Sequence, residues 1–359
     1  MQRLRPISIL ALCLIWTANA AAQISLAPPA AETPKPAAKP KPKPHAVAKK
    51  PATSPAPKPE ATPAPTATVV PAPAVDDPHI DLVYGLYQRG LYKTAFDLAS
   101  QRAAAGDPKA MTMLGELYAN ALGVKRDFAK AADWYKRAAD GGDREAMFAL
   151  AMLRLEGRGG APNREEAVKL LASSAKLGNP KAAYNLALLY LDGQTLPQDV
   201  KRAAELLRQS ADAGNPEAQY ALATFYKEGT GVPKDIDKAV RLLQAASLAD
   251  NVDAEVEYAI ALYNGTGTPK NEAAAVALLR KAARQNSPIA QNRLARVLVT
   301  GQGAPMDKVE GLKWHLIAKT AGKGDPMLDD ELARLSPDDR AKAEAGARKW
   351  LGNPVLTPR

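Results

Sequence analysis

Apolar residues recur along most of this chain with a period of 36 residues, and each period contains two helical patterns. In the first pattern an Ala is followed four residues later by a Leu, as at Ala110 and Leu114, so that both side chains lie on one helical face. A fixed period of this length predicts a solenoid of stacked units. The junctions between units fall at Gly106, Gly142, Gly178, Gly214, Asp250, Asn286 and Gly322.

Polar residues mark the starts of both helices in every unit. The first helix follows an Asp, Asn or Ser, and four of the six copies place Pro next, as in Asn179-Pro180. Side chains of this kind accept hydrogen bonds from the free N–H groups of a first helical turn, where Pro loses nothing. The second helix follows another Asp or Asn in all six copies, as at Asp127 and Asp199. Glycine ends the first helix in most units, as at Gly157.

The two helices of a unit cannot bury their apolar faces alone, so each pair must stack on the next. The second helix carries Ala131 and Trp134, or Ala and Leu in their places, on one face. The first helix has a small residue directly after its Leu, as Gly115 and Ala151 show, which allows a close helix crossing. The fold class predicted is all-α, a right-handed α-solenoid of antiparallel helix pairs preceded by a disordered Pro-rich linker.

The repeated pattern resembles the Sel1-like repeat, a relative of the tetratricopeptide repeat with a longer loop between its helices. The segments Ala110–Tyr135 and Ala218–Val240 show it best, and the resemblance covers roughly residues 80–322. Thr195 departs from the pattern, since it stands where the other copies have a second loop Gly. The resemblance implies an adaptor that binds protein partners, and exported bacterial members of the family act in envelope or signalling systems.

The first 22 residues have the features of a secretory signal peptide. Arg3 and Arg5 precede the apolar run from Ile7 to Trp16, and small residues end at Ala22, after which we expect cleavage. An uncleaved anchor is the alternative. The only Cys, Cys13, lies inside the apolar run, so the mature chain would contain no disulfide and no Cys-based metal site. We therefore expect a periplasmic or secreted protein without a transmembrane segment after cleavage.

The composition divides the chain into six segments. Residues 23–78 are rich in Pro, Ala and Lys and cannot form a core, so they are predicted to be a disordered linker. Residues 79–106 are predicted to form a capping helix pair, with helices from Leu82 to Gln88 and from Leu91 to Ala105. Residues 107–322 are the six repeats. Two capping helices, the second running from Ser336 to about Leu351, occupy residues 323–352, and residues 353–359 form a tail.

The charge and the chemistry-bearing residues argue against catalysis and nucleic-acid binding. The formal net charge is +10, but no Lys/Arg block is interleaved with aromatic residues. The three His are far apart in the sequence, and His315 is predicted to be a packing residue; no cofactor, metal or catalytic site is expected. The Gly-x-Gly loops follow helices rather than strands, so they are helix ends and not phosphate sites. Glu156, Asp192 and Glu228 recur at one repeat position, either as polar loop contacts or as a ligand-binding row.

The predicted function is that of a non-enzymatic scaffold that binds a partner protein or peptide in the cell envelope. Its concave helical face is predicted to use Tyr184, Asn185, Tyr220, Arg293 and Arg296. One alternative is a cell-wall-associated structural protein whose Lys/Pro linker contacts peptidoglycan. Another is a β-lactamase-like hydrolase, although this chain lacks the cysteines of that group and a Ser-x-x-Lys set outside its repeats.

Overall fold

The computed structural model describes residues 82–352, which fold into sixteen helices without a β-strand. The predicted all-α solenoid is confirmed for this range. No helix within it is both long and apolar enough to cross a membrane. The predicted signal peptide, linker and tail, at residues 1–22, 23–78 and 353–359, lie outside the described residues. The helices are α1 (Leu82–Gln88), α2 (Tyr92–Ala104), α3 (Pro108–Asn120), α4 (Phe128–Asp140), α5 (Arg144–Glu156), α6 (Arg164–Lys176), α7 (Pro180–Asp192), α8 (Val200–Asp212), α9 (Pro216–Glu228), α10 (Ile236–Leu248), α11 (Val252–Asn264), α12 (Glu272–Arg284), α13 (Pro288–Thr300), α14 (Lys308–Thr320), α15 (Pro326–Ala333) and α16 (Pro337–Leu351).

Each of the twelve helices from α3 to α14 begins at a side chain that caps it. Asn179 accepts a hydrogen bond from the Ala182 N–H at 3.0 Å, and Asp127 accepts one from the Lys130 N–H at 3.0 Å. A cap of this kind contributes about 1 kcal/mol. The caps therefore fix both helix starts in every unit, at the positions the sequence predicts.

The first helix of each pair ends at a residue in the left-handed conformation, which is Gly in five of the six pairs. Gly157, for example, has φ 68° and donates its N–H to the Leu153 carbonyl. The exception is Ala121 at the end of α3, with φ 59°. A Cβ is unfavourable in that conformation, so α3 ends at a strained residue.

The second loop glycine lies against the start of the preceding second helix. A Cβ on Gly159 would lie 2.2 Å from the Phe128 carbonyl oxygen, and one on Gly231 would lie 2.8 Å from that of Val200. Thr195 takes this place between α7 and α8, and it cannot make so close an approach. A depression of about 360 Å³ lies there, lined by Arg164, Glu165, Val168, Lys169, Gln194, Thr195 and Leu196.

The two helices of a pair touch through residues of complementary size. In the first pair a Cβ on Gly115 would lie 2.5 Å from Cε1 of Tyr135, because the tyrosine ring fills the space above the glycine. Burial first, and then the neighbouring Glu116 carboxylate, raise the pKa of Tyr135, whose hydroxyl donates to Glu116 at 2.9 Å. The next four pairs have Ala and Leu at these two positions: Ala151 with Leu171, Ala187 with Leu207, Ala223 with Leu243, and Ala259 with Leu279.

Three polar residues occupy one position of consecutive first helices; Glu255 and Gln291 are buried and Gln219 is half-buried. Gln219 and Gln291 donate to the Ala211 and Ala283 carbonyls, at 3.2 and 3.1 Å, and so bind the end of the preceding second helix. Glu255 takes the same position between them and has no exposed surface. Its carboxylate lies 2.6 Å from the ammonium group of Lys281, which also contacts Asp250. A carboxylate has no proton to donate to a carbonyl oxygen, so Glu255 cannot bind the preceding second helix as the two Gln residues do. The ammonium group of Lys281 is its partner instead.

Two helices outside the six repeats lie at each end of the described stack, a short one and a longer one. At the amino end, the helix predicted from Leu91 to Ala105 spans Tyr92–Ala104. At the carboxyl end, α16 begins after Ser336 and ends before Gly352. Trp314 and Trp350 pack edge to face there, with ring centroids 5.0 Å apart.

His315 has no exposed surface, and its Nε2 lies 2.7 Å from Oδ1 of Asp329. His315 lies on α14 and is buried where that helix meets the carboxyl-terminal cap. This position agrees with the predicted packing role.

Candidate functional site

The first helices of successive pairs lie next to one another and form one side of the stack. Thr112 on α3 donates to Asp143 at the start of α5 at 3.0 Å, and Lys227 on α9 pairs with Glu257 on α11 at 2.9 Å. Solenoids of stacked helix pairs use an extended concave surface for binding, and the first helices form the face that the sequence predicts for this role. We call the solvent-facing residues of this row the concave face.

The centre of the concave face is apolar from the second to the fourth repeat. Its side chains pack against the core while keeping part of their surface exposed, except Tyr184, which is 7% exposed. They lie on α5, α7 and α9 at helical spacings that direct them to one side. We call this set the apolar strip, and it comprises Phe148, Met152, Leu155, Tyr184, Leu188, Leu191 and Tyr220.

Carboxylates surround the apolar strip, although the chain as a whole is basic. Glu156, Asp192 and Glu228 end α5, α7 and α9 and form a row that we call the acidic edge. The concave positions from α5 to α11 carry seven carboxylates against two lysines, and two arginines beside them pair with two of the carboxylates: Arg144 with Glu145 at 3.5 Å and Arg158 with Glu156 at 2.9 Å. The carboxylates are Glu145, Glu156, Asp192, Glu217, Glu228, Asp253 and Glu257, and the lysines are Lys181 and Lys227.

The electrostatics of this face show at α11. Partial burial raises the pKa of Asp253, and the nearby Glu257 carboxylate raises it further. Of the two lysines, Lys227 pairs with Glu257. Lys181 forms no ion pair with the carboxylates of this face. This part of the concave face therefore presents a negative potential around an apolar centre.

The five predicted binding residues occupy different surroundings. Tyr184 and Tyr220 belong to the apolar strip, and Tyr184 is nearly buried within it. Asn185 is half-buried beside them and donates to the Lys181 carbonyl at 2.8 Å. These three residues lie together on neighbouring helices.

Arg293 and Arg296 lie at the carboxyl end of the stack, away from the three others. The Arg296 side chain donates to Asp325, at the start of α15, and so contributes to the carboxyl-terminal cap. Burial first, and then the charge of Arg296, lower the pKa of Arg293. Ligand binding by any of the five residues stays a prediction.

The set of five predicted residues did not include Phe148, which shares the repeat position of Tyr184 and Tyr220. It also omitted four further residues of the apolar strip: Met152, Leu155, Leu188 and Leu191. Their signal was present in the sequence, because each lies four or seven residues after Phe148 or Tyr184 and hence on the same helical side. They were omitted because apolar residues at helical spacing fit a core equally well.

The residues considered for chemistry have structural roles in the fold. The string Ser173-Ser174-Ala175-Lys176 has the Ser-x-x-Lys spacing and lies on the second helix α6, with Ser173 exposed. Its neighbour Ser174 has no exposed surface and donates to the Arg144 carbonyl at 2.6 Å. Between Leu82 and Gly352 no group of His, Asp and Glu residues is arranged to hold a metal ion. Solenoid scaffolds of this kind are generally non-catalytic.

Comparison with known proteins identifies the family. No curated protein is similar to the sequence. The chain is 26% identical to a Sel1 repeat protein from Oxalobacter formigenes; the match covers 67% of this chain and 98% of that one, with a TM-score of 0.60. It is 25% identical to a protective antigen of uropathogenic Escherichia coli that displays an SLR fold. That match covers 73% of this chain and 64% of the antigen, with a TM-score of 0.50.

The Sel1 repeat model matches six consecutive segments, which together cover more than half of the chain. They are residues 108–143, 144–179, 180–215, 216–251, 252–287 and 288–323. Each begins at the first residue of a first helix, and the first five end at the residue that caps the first helix of the next pair. The chain therefore belongs to the Sel1 repeat family.

Proposed function

We propose that this protein is an exported, non-enzymatic scaffold that binds a partner protein or peptide on its concave face. Sel1 repeat proteins typically mediate protein–protein interactions. The observation that carries the proposal for this chain is the apolar strip, which leaves part of Phe148, Leu188 and Tyr220 exposed on one side of the stack. A contiguous apolar surface surrounded by polar residues is typical of a protein-binding site.

The amino-terminal sequence supports export. Arg3, Arg5 and the apolar run up to Trp16 match the arrangement of a secretory signal, and the small residues before Gln23 match a cleavage site. We propose the periplasm as the location and a cell-envelope or signalling complex as the setting. Cell fractionation followed by mass determination of the intact protein tests this. A mature chain that starts at Gln23 is expected, and an uncleaved chain in the cytoplasm would contradict export.

The binding test is an in-cell crosslink and pull-down with a carboxyl-terminal affinity tag. The test variant combines Met152→Lys and Leu188→Lys, which place charge in the apolar strip while their long side chains reach solvent. The matched control combines Leu177→Lys and Leu248→Lys at the ends of second helices, where the leucines are 49% and 81% exposed. Circular dichroism verifies that both variants fold.

A discrete partner that is lost in the strip variant and kept in the control is the expected result. A partner retained equally by both variants would overturn binding through the concave face. The cell-wall alternative predicts a different outcome, since removal of residues 23–78 would then abolish retention on isolated peptidoglycan.

A further inference from the structure

We propose that the apolar strip and the acidic edge bind an extended cationic segment with one basic and one apolar side chain in every three residues. This inference rests on the proposed function and names the chemical class of its partner. It concerns the surface of α5, α7 and α9, where both features lie together.

The sign of the charge follows from two independent features. The acidic edge places Glu156, Asp192 and Glu228 on three consecutive first helices of a chain whose net charge is +10. Glu156 pairs with Arg158 at 2.9 Å, so Asp192 and Glu228 carry most of the uncompensated negative charge of this row. These carboxylates also stand at the carboxyl ends of their helices, where the helix dipole is negative. The carboxylates and the helix dipoles both attract cations to this row, and both repel anionic partners such as nucleic acids.

The spacing follows from the repeat. Helices that pack against each other lie about 8–10 Å apart, so neighbouring carboxylates of the acidic edge are separated by roughly that distance. Three residues of a polyproline II chain, which make one full turn of that helix, also span about 9 Å. A peptide that crosses the first helices can therefore present an equivalent side chain to each repeat at every third position.

The two features are close enough for one peptide to contact both. Leu188 and Asp192 are four residues apart on α7, which is about 6 Å along the helix axis. Met152 and Glu156 have the same separation on α5. A backbone above the apolar strip can thus place an apolar side chain on it and extend a lysine or arginine to the acidic edge.

The test uses the full chain and fluorescein-labelled peptides in fluorescence anisotropy. The first probe contains four Lys-Pro-Leu triplets, and the second has the same composition in blocks of four Lys, four Pro and four Leu. The third replaces each Lys of the first probe by Glu. The periodic cationic probe is expected to bind at least fivefold more tightly than the block isomer, and the acidic probe is expected not to bind.

Two triple variants separate local recognition from general charge attraction. The edge variant combines Glu156→Gln, Asp192→Asn and Glu228→Gln. The control combines Asp133→Asn, Glu165→Gln and Glu205→Gln, which neutralise three exposed carboxylates on the second helices α4, α6 and α8. Both change the net charge equally. We expect the edge variant to raise the Kd for the periodic probe at least tenfold, and the control to change it less than twofold.

Equal losses in the two triple variants, or equal affinities of the periodic and block probes, would overturn the inference. If neither cationic probe binds but the cellular partner is still lost in the Met152→Lys and Leu188→Lys variant, the proposed function stands and the cationic segment is excluded. If that partner is retained by the strip variant, the proposed function itself fails.

Discussion

Replacing Gly115 by Ala tests the packing between the helices of the first pair. The added Cβ would lie 2.5, 2.6 and 2.9 Å from three ring atoms of Tyr135, and a rigid ring in a packed interface cannot move away freely. Because all three contacts are shorter than 3.0 Å, we expect the upper part of the overpacking range, about 2–3 kcal/mol, while Ala gains about 1 kcal/mol over Gly in a helix. We expect Gly115→Ala to lower the free energy of unfolding by about 1–2 kcal/mol.

In a Tyr135→Leu background, the effect of Gly115→Ala on the free energy of unfolding should change sign. Alone, Tyr135→Leu removes the ring above Gly115 and the hydrogen bond to Glu116, which together cost about 2–4 kcal/mol. The double variant carries Ala and Leu, the pair that the next four repeats use. Adding Gly115→Ala to Tyr135→Leu is therefore expected to stabilise the protein, with a coupling energy of about 1.5–3 kcal/mol.

Urea unfolding followed by far-ultraviolet circular dichroism measures all four proteins of this cycle. Their m-values must agree, because a solenoid can unfold in segments and a lower m-value would reveal partial unfolding. Additive effects, or a Gly115→Ala variant as stable as the wild type, would refute the claim that the tyrosine ring requires glycine beneath it.

Other sites yield predictions of known sign. Lys281→Met should lower the free energy of unfolding by about 2–3 kcal/mol, because it leaves the buried Glu255 carboxylate without its partner. In a Glu255→Gln background the same change should lower it by less than about 1 kcal/mol. Equal losses in the two backgrounds of this double-mutant cycle would contradict the pairing. Ala121→Gly should raise the free energy of unfolding by about 0.5–1 kcal/mol, since φ is 59° there; a lower melting temperature would contradict this. Burial acts to raise the pKa of Asp325, but hydrogen bonds and charge from Arg296 more than offset it and lower that pKa. Asp325→Asn should thus destabilise the protein most above about pH 4, the ordinary value for Asp, and the difference from wild type in thermal unfolding should shrink as the pH falls through the lowered folded pKa; a constant difference would argue against the ion pair.

The sequence predicted the fold because the repeated signals are local. An Asp, Asn or Ser cap such as Asn179, a Pro at the first helical position and a Gly such as Gly157 act within one turn of a helix. All six copies have the cap, four have the Pro and five have the Gly. Two residues of the apolar strip, Tyr184 and Tyr220, could also be identified from the sequence, since they share a repeat position. The sequence also showed the acidic edge as a row of carboxylates at one repeat position. It did not show that this row lies beside the apolar strip.

What the sequence determined by itself was the number of helices in the repeats, their starts and their stacking, because capping and helical periodicity depend on neighbours along the chain. Only the tertiary structure decided which apolar side chains keep an exposed surface. Leu186 and Leu188 are two residues apart on α7, yet Leu186 is buried and Leu188 is partly exposed on the concave face. It also decided that Arg296 binds Asp325 in the cap rather than extending the apolar strip, because that contact joins α13 to a helix outside the repeats. Such choices depend on which helices meet in space, and a side chain's spacing along its own helix does not contain that information.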